Sequence, residues 1–336
     1  MNVRARLLLA AAALAFSAVA AKACLWDSDT LAAESARFPG ISQLITGAFP
    51  RHSQEFYEWR RKTSEQQLAK NPALFALYDD LAVAQHKLGD HKAAIATMLA
   101  KEKLRPGVYE TYSNLGTFYI YTGELEEAVK WIGKALAINP NAHFGREKYQ
   151  KWLVEWLIER NKPHEENASP PKRRLSPHSM LMGFAQFVAS KEADMISSSS
   201  DAETTLSPEN ALAAIRGVAG MMRFADFDNP LLQEAMGDLL LSGDQEKNAA
   251  QLASICYMKA AQESADDEKK QALLAKCKMA GRFTPDFSMD LVQRQLHFGL
   301  KEGNSYFQTI REDEMDWIAA GKDASAEFQK KYLAAH

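Results

Sequence analysis

Cysteine is scarce, charge of one sign is not in excess, and no long apolar run occurs beyond the first two dozen residues. Three cysteines in 336 residues cannot build a dense disulfide framework, and no Cys-x-x-Cys pair is present for a structural zinc site. Lys and Arg number 40 against 43 Asp and Glu, a net charge of −3. The basic footprint of a nucleic-acid binder is therefore missing, and no nucleic-acid partner is expected. Alternation of period two persists nowhere, so almost no sheet is expected. There is no His-Glu-x-x-His, no Gly-rich phosphate loop and no Gly-x-Ser-x-Gly elbow. Eight histidines are scattered, and the closest pair, His86 and His91, straddles Gly89 at a spacing that does not share one helix face. The expectation is a chain with no metal, no cofactor and no catalytic residues.

What is present begins with an export signal. Arg4 and Arg6 precede the apolar run Leu7 to Phe16, and small residues lead to Ala21-Lys22-Ala23. The run is shorter than the roughly 20 residues a membrane span needs, so residues 1–23 read as a secretory signal peptide cleaved after Ala23 or Ala20. Cleavage after Ala23 makes Cys24 the first residue and raises lipid attachment, although Lys22 fits a lipobox poorly. The expected location is periplasmic or extracellular, with membrane attachment only if Cys24 is lipidated. The midpoint between Cys256 and Cys277 is Asp266/Asp267, inside the polar run 263–268, so an antiparallel helix pair would bring them level. A disulfide is expected there in an exporting compartment.

Organisation centres on Pro72 to Pro140. The stretches ALFALYDDLAVAQHKLGDHKAAIATMLAKEKLRP and GVYETYSNLGTFYIYTGELEEAVKWIGKALAINP are two copies of one 34-residue unit. The shift pairs Tyr78 with Tyr112, Leu81 with Leu115, Ala82 with Gly116, Gly89 with Gly123, and Ala94 with Ala128. Tyr112, Leu115, Gly116 and Tyr119 fall on one helical stripe. The small residues let the second helix of each unit approach the first, the glycines end the first helix, and Pro72, Pro106 and Pro140 keep step behind the second. This order of large apolar, Leu, small, aromatic, Gly, Ala and Pro resembles the tetratricopeptide (TPR) repeat family. The block from CLWDSDTL to HSQEFYEWR is similar to the front end of exported bacterial TPR proteins. The resemblance implies an all-α fold, a TPR-type solenoid of antiparallel helix pairs.

The expected layout follows the punctuation. Residues 24–71 form an N-terminal helical cap, with Asp27, Ser28, Asp29 and Thr30 as helix-capping residues rather than metal ligands. Residues 72–160 hold the array: repeats 72–106 and 107–140, then a helix whose Trp152 and Trp156 pack on the last repeat. Residues 161–177 are a Pro-rich, charged linker. Residues 178–336 form a second helical region with one degenerate repeat: Asn229 to Asp244 resembles a helix A and its turn, with Gly237 in the small position and Gly243-Asp244 at the turn, and a helix B follows around Ala253, Tyr257 and Ala260. Its later helices are expected at Asp266 to Met279, Ser288 to Lys301, Asn304 to Ala320 and Ala324 to Leu333.

In the TPR family the inner face of each first helix lines a peptide groove. Carried over by position, that groove holds Asp79, Val83, His86, Lys87, Glu110, Ser113, Thr117, Tyr121 and, from the following helix, Lys151. Some relatives clamp a chaperone's terminal carboxylate with Lys and Asn on this face. Here Asp79 and Ser113 stand where the Lys would be, and Val83 and Thr117 where the Asn would be, so no carboxylate-clamp chaperone tail is expected. The resemblance implies an exported scaffold that binds another protein or peptide. An enzyme or carbohydrate-binding activity in the second half, or a lipid-anchored assembly factor, is the competing reading.

Mass spectrometry of the protein recovered from an exporting host checks the leader. The expected product lacks residues 1–23, and its mass distinguishes a free Cys24 from an acylated one. A product retaining Arg4 and Arg6 contradicts the assignment.

Overall fold

Helices at 34-residue spacing, each ended by a glycine or a proline, dictate the first half of the architecture. The computed structural model describes residues 27–28, 38–140, 145–162, 183–196, 206–242 and 248–334. The signal peptide, Cys24, Asp29 and most of the expected linker lie outside them. Among the described residues there are 14 α-helices and no strand. The first is α1 (Ile41–Thr46), followed by α2 (Gln54–Lys70), α3 (Ala76–Lys87), α4 (His91–Leu104), α5 (Tyr109–Tyr121), α6 (Leu125–Ile138) and α7 (Arg146–Asn161). The second half contains α8 (Gly183–Ile196), α9 (Pro208–Phe224), α10 (Pro230–Leu240), α11 (Ala249–Glu263), α12 (Asp267–Gly281), α13 (Met289–Ala319) and α14 (Ala324–Phe328). A π-helical turn, Gln329–Leu333, ends the described chain.

The two repeats are α3–α4 and α5–α6. Gly89 and Gly123 take φ of 86° and 79°, the left-handed conformation that ends α3 and α5. Gly116 is an approach point: a Cβ there would stand 2.5 Å from the side chain of Ile132 and 3.1 Å from its backbone nitrogen. Gly237 plays the same part in the degenerate repeat α10–α11, where a Cβ would meet the Tyr257 ring at 2.6 Å. Asp90, Ser53, Asn229 and Asp266 cap their helices through side-chain oxygens.

Successive helices pack from α2 through α7, then α7 packs on α9, α9 on α10, α10 on α11 and α11 on α12. The long helix α13 lies against α11 and returns to α1 and α2. The stack therefore closes into a circuit in which the last long helix meets the first ones. Three expectations change as a result. First, α13 is one continuous helix of 31 residues, with no break after Lys301. Gly303 is there for contact: a Cβ on it would lie 2.1 Å from the Thr46 carbonyl, and one on Gly299 would lie 2.6 Å from Thr46 Cγ2. The glycines, four residues apart, form a flat strip on which α1 rests.

Second, the tryptophans of α7 face the second half. Tyr149, Trp152 and Trp156 join one core with Leu44, Ile45, Phe184, Val218, Met236, Tyr257 and Leu296, while Val154 packs with Ala128 and Ile132 of the last repeat. A helix between two apolar surfaces buries both faces, and the larger side chains went to the larger core. Third, Cys256 and Cys277 sit buried on the adjacent pair α11 and α12 as free thiols. Cys277 Sγ lies 3.7 Å from Met289 Sδ, so the expected disulfide is not formed and that thiol packs on α13.

Gly116→Val should cost about 1–3 kcal/mol through overpacking. Gly133→Ala, where nothing lies within 4 Å, should gain up to about 1 kcal/mol of helix propensity. Urea unfolding midpoints check both, and equal midpoints would contradict the approach point.

Candidate functional site

The inner face of the repeats does not form an open groove. Asp79 is buried and forms an ion pair with buried Lys101, with Asn114 Nδ2 3.5 Å from its other oxygen. Burial pushes the Asp79 carboxyl up to about 7, and Lys101 opposes that rise. Ser113 and Thr117 are buried, Thr117 donating to the Ser113 carbonyl and accepting from Gln150 of α7 at 3.0 Å. Glu110 is half-buried. Lys151 lies elsewhere, in a Lys151–Glu155–Lys191 chain at 2.9 and 3.0 Å.

The other four expected residues meet in one place. Val83, His86 and Lys87 at the end of α3 and Tyr121 at the end of α5 line a pocket of ≈ 440 Å³. The rest of its wall comes from outside the repeats. The α1–α2 connection supplies Phe49, Arg51 and His52; the end of α9 and the following turn supply Arg223, Asp226 and Phe227; Phe328 of α14 and Asp27 complete it. A volume of this size suits a small ligand or a single inserted group.

His86 and His91 are the surprise. The Gly89 turn folds α4 back along α3, and the two Nδ1 atoms lie 3.1 Å apart. One ring must donate to the other. The His86 ring also stacks on Phe118 and meets Tyr121 edge-on, with centroids 4.8 and 4.6 Å away. Burial holds His86 well below the ordinary imidazole value, reinforced by Lys87 and His91. Burial lowers His91 as well, against the opposing charge of Asp90. No group of three or more His, Cys, Asp or Glu suited to a metal occurs among the described residues.

The pocket's other basic side chains are held differently. Lys87 Nζ donates to the carbonyls of Phe224, at 3.1 Å, and Ala225, so it caps the end of α9. Burial pushes its ammonium down to about 8, against the pull of Asp226 and Asp27. His52 is stacked on Phe56 with centroids 3.6 Å apart, and its Nδ1 lies 2.6 Å from the fully buried Glu314 of α13. Arg51 donates to the Gly47 carbonyl and lies over the rings of Phe307 and Phe227 at 4.1 and 4.7 Å. Arg51, His52, Phe227 and Phe328 carry no repeat signature. The only local hint is Ser53, whose cap fixes the start of α2 immediately after them.

With the geometry described, comparison with known families identifies the central hairpin. Residues 109–142 match the family model of the tetratricopeptide repeat. This segment is a TPR unit. It is the second of the two copies, α5–α6, and the first copy repeats its glycine turn and its helix contacts. No curated protein matches the chain. TPR units bind other proteins or peptides, and the chain accordingly carries an interaction scaffold.

The histidine pair predicts an acid weakness. Both folded values lie below the unfolded imidazole value of about 6.5. The unfolded chain therefore takes up protons first as pH falls, and stability that is full above that value is lost on acidification. Between about pH 7.5 and pH 5 the urea midpoint of the wild type should drop more than that of a His86→Phe/His91→Phe double variant. Parallel profiles would contradict the assignment.

Proposed function

We propose that the chain is an exported, non-catalytic scaffold of the bacterial cell envelope that holds another protein or peptide. The partner is gripped where the inner face of the repeats reaches the pocket. The observation that carries this reading is the placement of Val83, His86, Lys87 and Tyr121, from successive repeats, on one ≈ 440 Å³ pocket. Asp79, Ser113 and Thr117 are buried between helices and do not line that pocket. A long peptide therefore has no continuous track along the array, and the pocket suits one side chain or a short segment. The position where a clamping lysine would be needed holds Asp79, already engaged by Lys101, which speaks against a carboxylate-clamp chaperone tail.

Export rests on the basic start, short apolar run and Ala-Lys-Ala exit of residues 1–23. Membrane attachment depends on Cys24 alone, since no helix among the described residues is long and apolar enough to cross a membrane. Nucleic acid is not a partner on this reading, given the near balance of 40 basic and 43 acidic side chains.

A photoreactive amino acid in place of Tyr121, illuminated in living cells, tests the reading. The expected result is a protein adduct heavier than the chain itself, absent when the probe stands at the exposed Lys269 on α12. No adduct at Tyr121, or the same adducts at both positions, sinks it.

A further inference from the structure

Arg51 is a charge without a carboxylate of its own. Its guanidinium lies between Phe307 of α13 and Phe227 of the turn after α9, with centroids at 4.1 and 4.7 Å, and Phe49 lies at 5.7 Å. One of its five N–H donors goes to the Gly47 carbonyl. The acid that supports it electrostatically is Asp228, whose Oδ1 is held 2.6 Å from the ammonium of Lys259. Burial pushes the guanidinium down to about 10, the mark of a cation taken from water without full compensation.

The neighbouring charges leave Arg51 in that position. Lys87 is engaged by two backbone carbonyls and balanced by Asp226 and Asp27, so it adds little net charge to the cavity. His86 and His91 add no charge at physiological pH, since both are lowered and bonded to each other. The planar donor fork of Arg51 shares the cavity with the rings of Phe49, Tyr57, Tyr121, Phe227 and Phe328, with His52 held on Glu314, and with Arg223, Asp226 and Asp27 in its wall. A guanidinium is weakly hydrated and matches a carboxylate bidentately, and aromatic walls favour a flat apolar body over a small hydrated ion.

We propose that this pocket binds an organic carboxylate with an aromatic or branched apolar body, its carboxylate on Arg51 and its body among Phe49, Tyr57, Phe227 and Phe328. The inference rests on the pocket being the binding site of the scaffold. The same chemistry has two sources, a free small acid or a glutamate beside an apolar residue in a partner peptide. The residues that hold it lie outside the two repeats, in the α1–α2 connection, α2 and the second half, so the repeats supply only one wall.

Calorimetric titration of the full mature chain tests it with four probes: 3-phenylpropionate, 3-phenylpropionamide, and an end-blocked Phe-Glu dipeptide with its Phe-Gln counterpart. The expected result is that at least one carboxylate binds about tenfold or more tightly than its amide, the loss expected when a charge-assisted pair becomes a neutral one. A preference for the free acid assigns a small-molecule ligand, and a preference for Phe-Glu assigns a partner-borne one. Either supports the proposal. Equal binding of acid and amide, or no saturable binding by either acid, overturns it. Arg51→Lys, which keeps the charge and loses the fork, should weaken carboxylate binding about tenfold with little change in amide binding. The acid–amide comparison on the unaltered protein decides the question even if this variant folds poorly. If Tyr121 captures no protein while Arg51-dependent acid binding persists, the protein-partner reading fails and the pocket chemistry stands; the converse removes only the pocket chemistry.

Discussion

Lys259 joins what the chain order separates. Its side chain is fully buried on α11, and its ammonium reaches the Ile45 carbonyl at 2.6 Å, the Asp228 carboxylate at 2.6 Å and the Phe227 carbonyl at 3.4 Å. It also lies 4.2 Å over the Phe227 ring. A buried ammonium is tolerated only when carbonyls and a carboxylate replace its water, and leaving such a charge with one partner missing costs about 3–5 kcal/mol. The helix α1, the turn after α9 and α11 are therefore held as a unit. That unit brings Phe227 to the pocket, and Asp228 gives Arg51 its electrostatic support.

Closure extends from there. Gly299 and Gly303 of α13 accept α1 at backbone distance, Glu314 of the same helix accepts from His52 and from the Ser53 backbone, and Arg311 pairs with Glu55. Each contact ties α13 to α1, to α2 or to the connection between them. A solenoid of repeats is ordinarily open, each unit touching only its neighbours. Here the ends of α3 and α5 form one wall of a cavity whose other walls come from the α1–α2 connection, the turn after α9 and α14. Buried pairs such as Asp79–Lys101 and Gln150–Thr117 complete the change, turning polar inner-face residues into internal links between neighbouring helices.

Much of the fold was legible residue by residue. Gly89, Gly123, Gly116, Ala82 and the three prolines encode local events, a turn, a close approach and a helix stop, and each occurs where its spacing requires. Gly237 announced the degenerate repeat for the same reason. The expected break between Lys301 and Asn304 does not occur, because Gly303 between them is a contact point for Thr46 rather than a helix end. Trp152 and Trp156 misled because periodicity reveals a buried face without naming what buries it. The cysteines do lie on two helices packed together, but both remain free thiols and Cys277 packs on Met289. Of the groove residues, Val83, His86, Lys87 and Tyr121 reached the pocket, and the closeness of His86 and His91 was hidden by a count that ignores how the Gly89 turn reverses the chain.

The sequence by itself determined the helices, their pairing into hairpins and the repeat identity of the central stretch. Those depend on interactions between residues a few turns or one repeat apart, which fixed spacing records. Only the tertiary structure decided that the array closes and that Arg51, His86, Tyr121, Phe227 and Phe328 share one cavity. Those five come from distant stretches with no common period, and they meet because buried charge on Lys259 and backbone-distance packing of α13 on α1 leave the chain no other way to satisfy both.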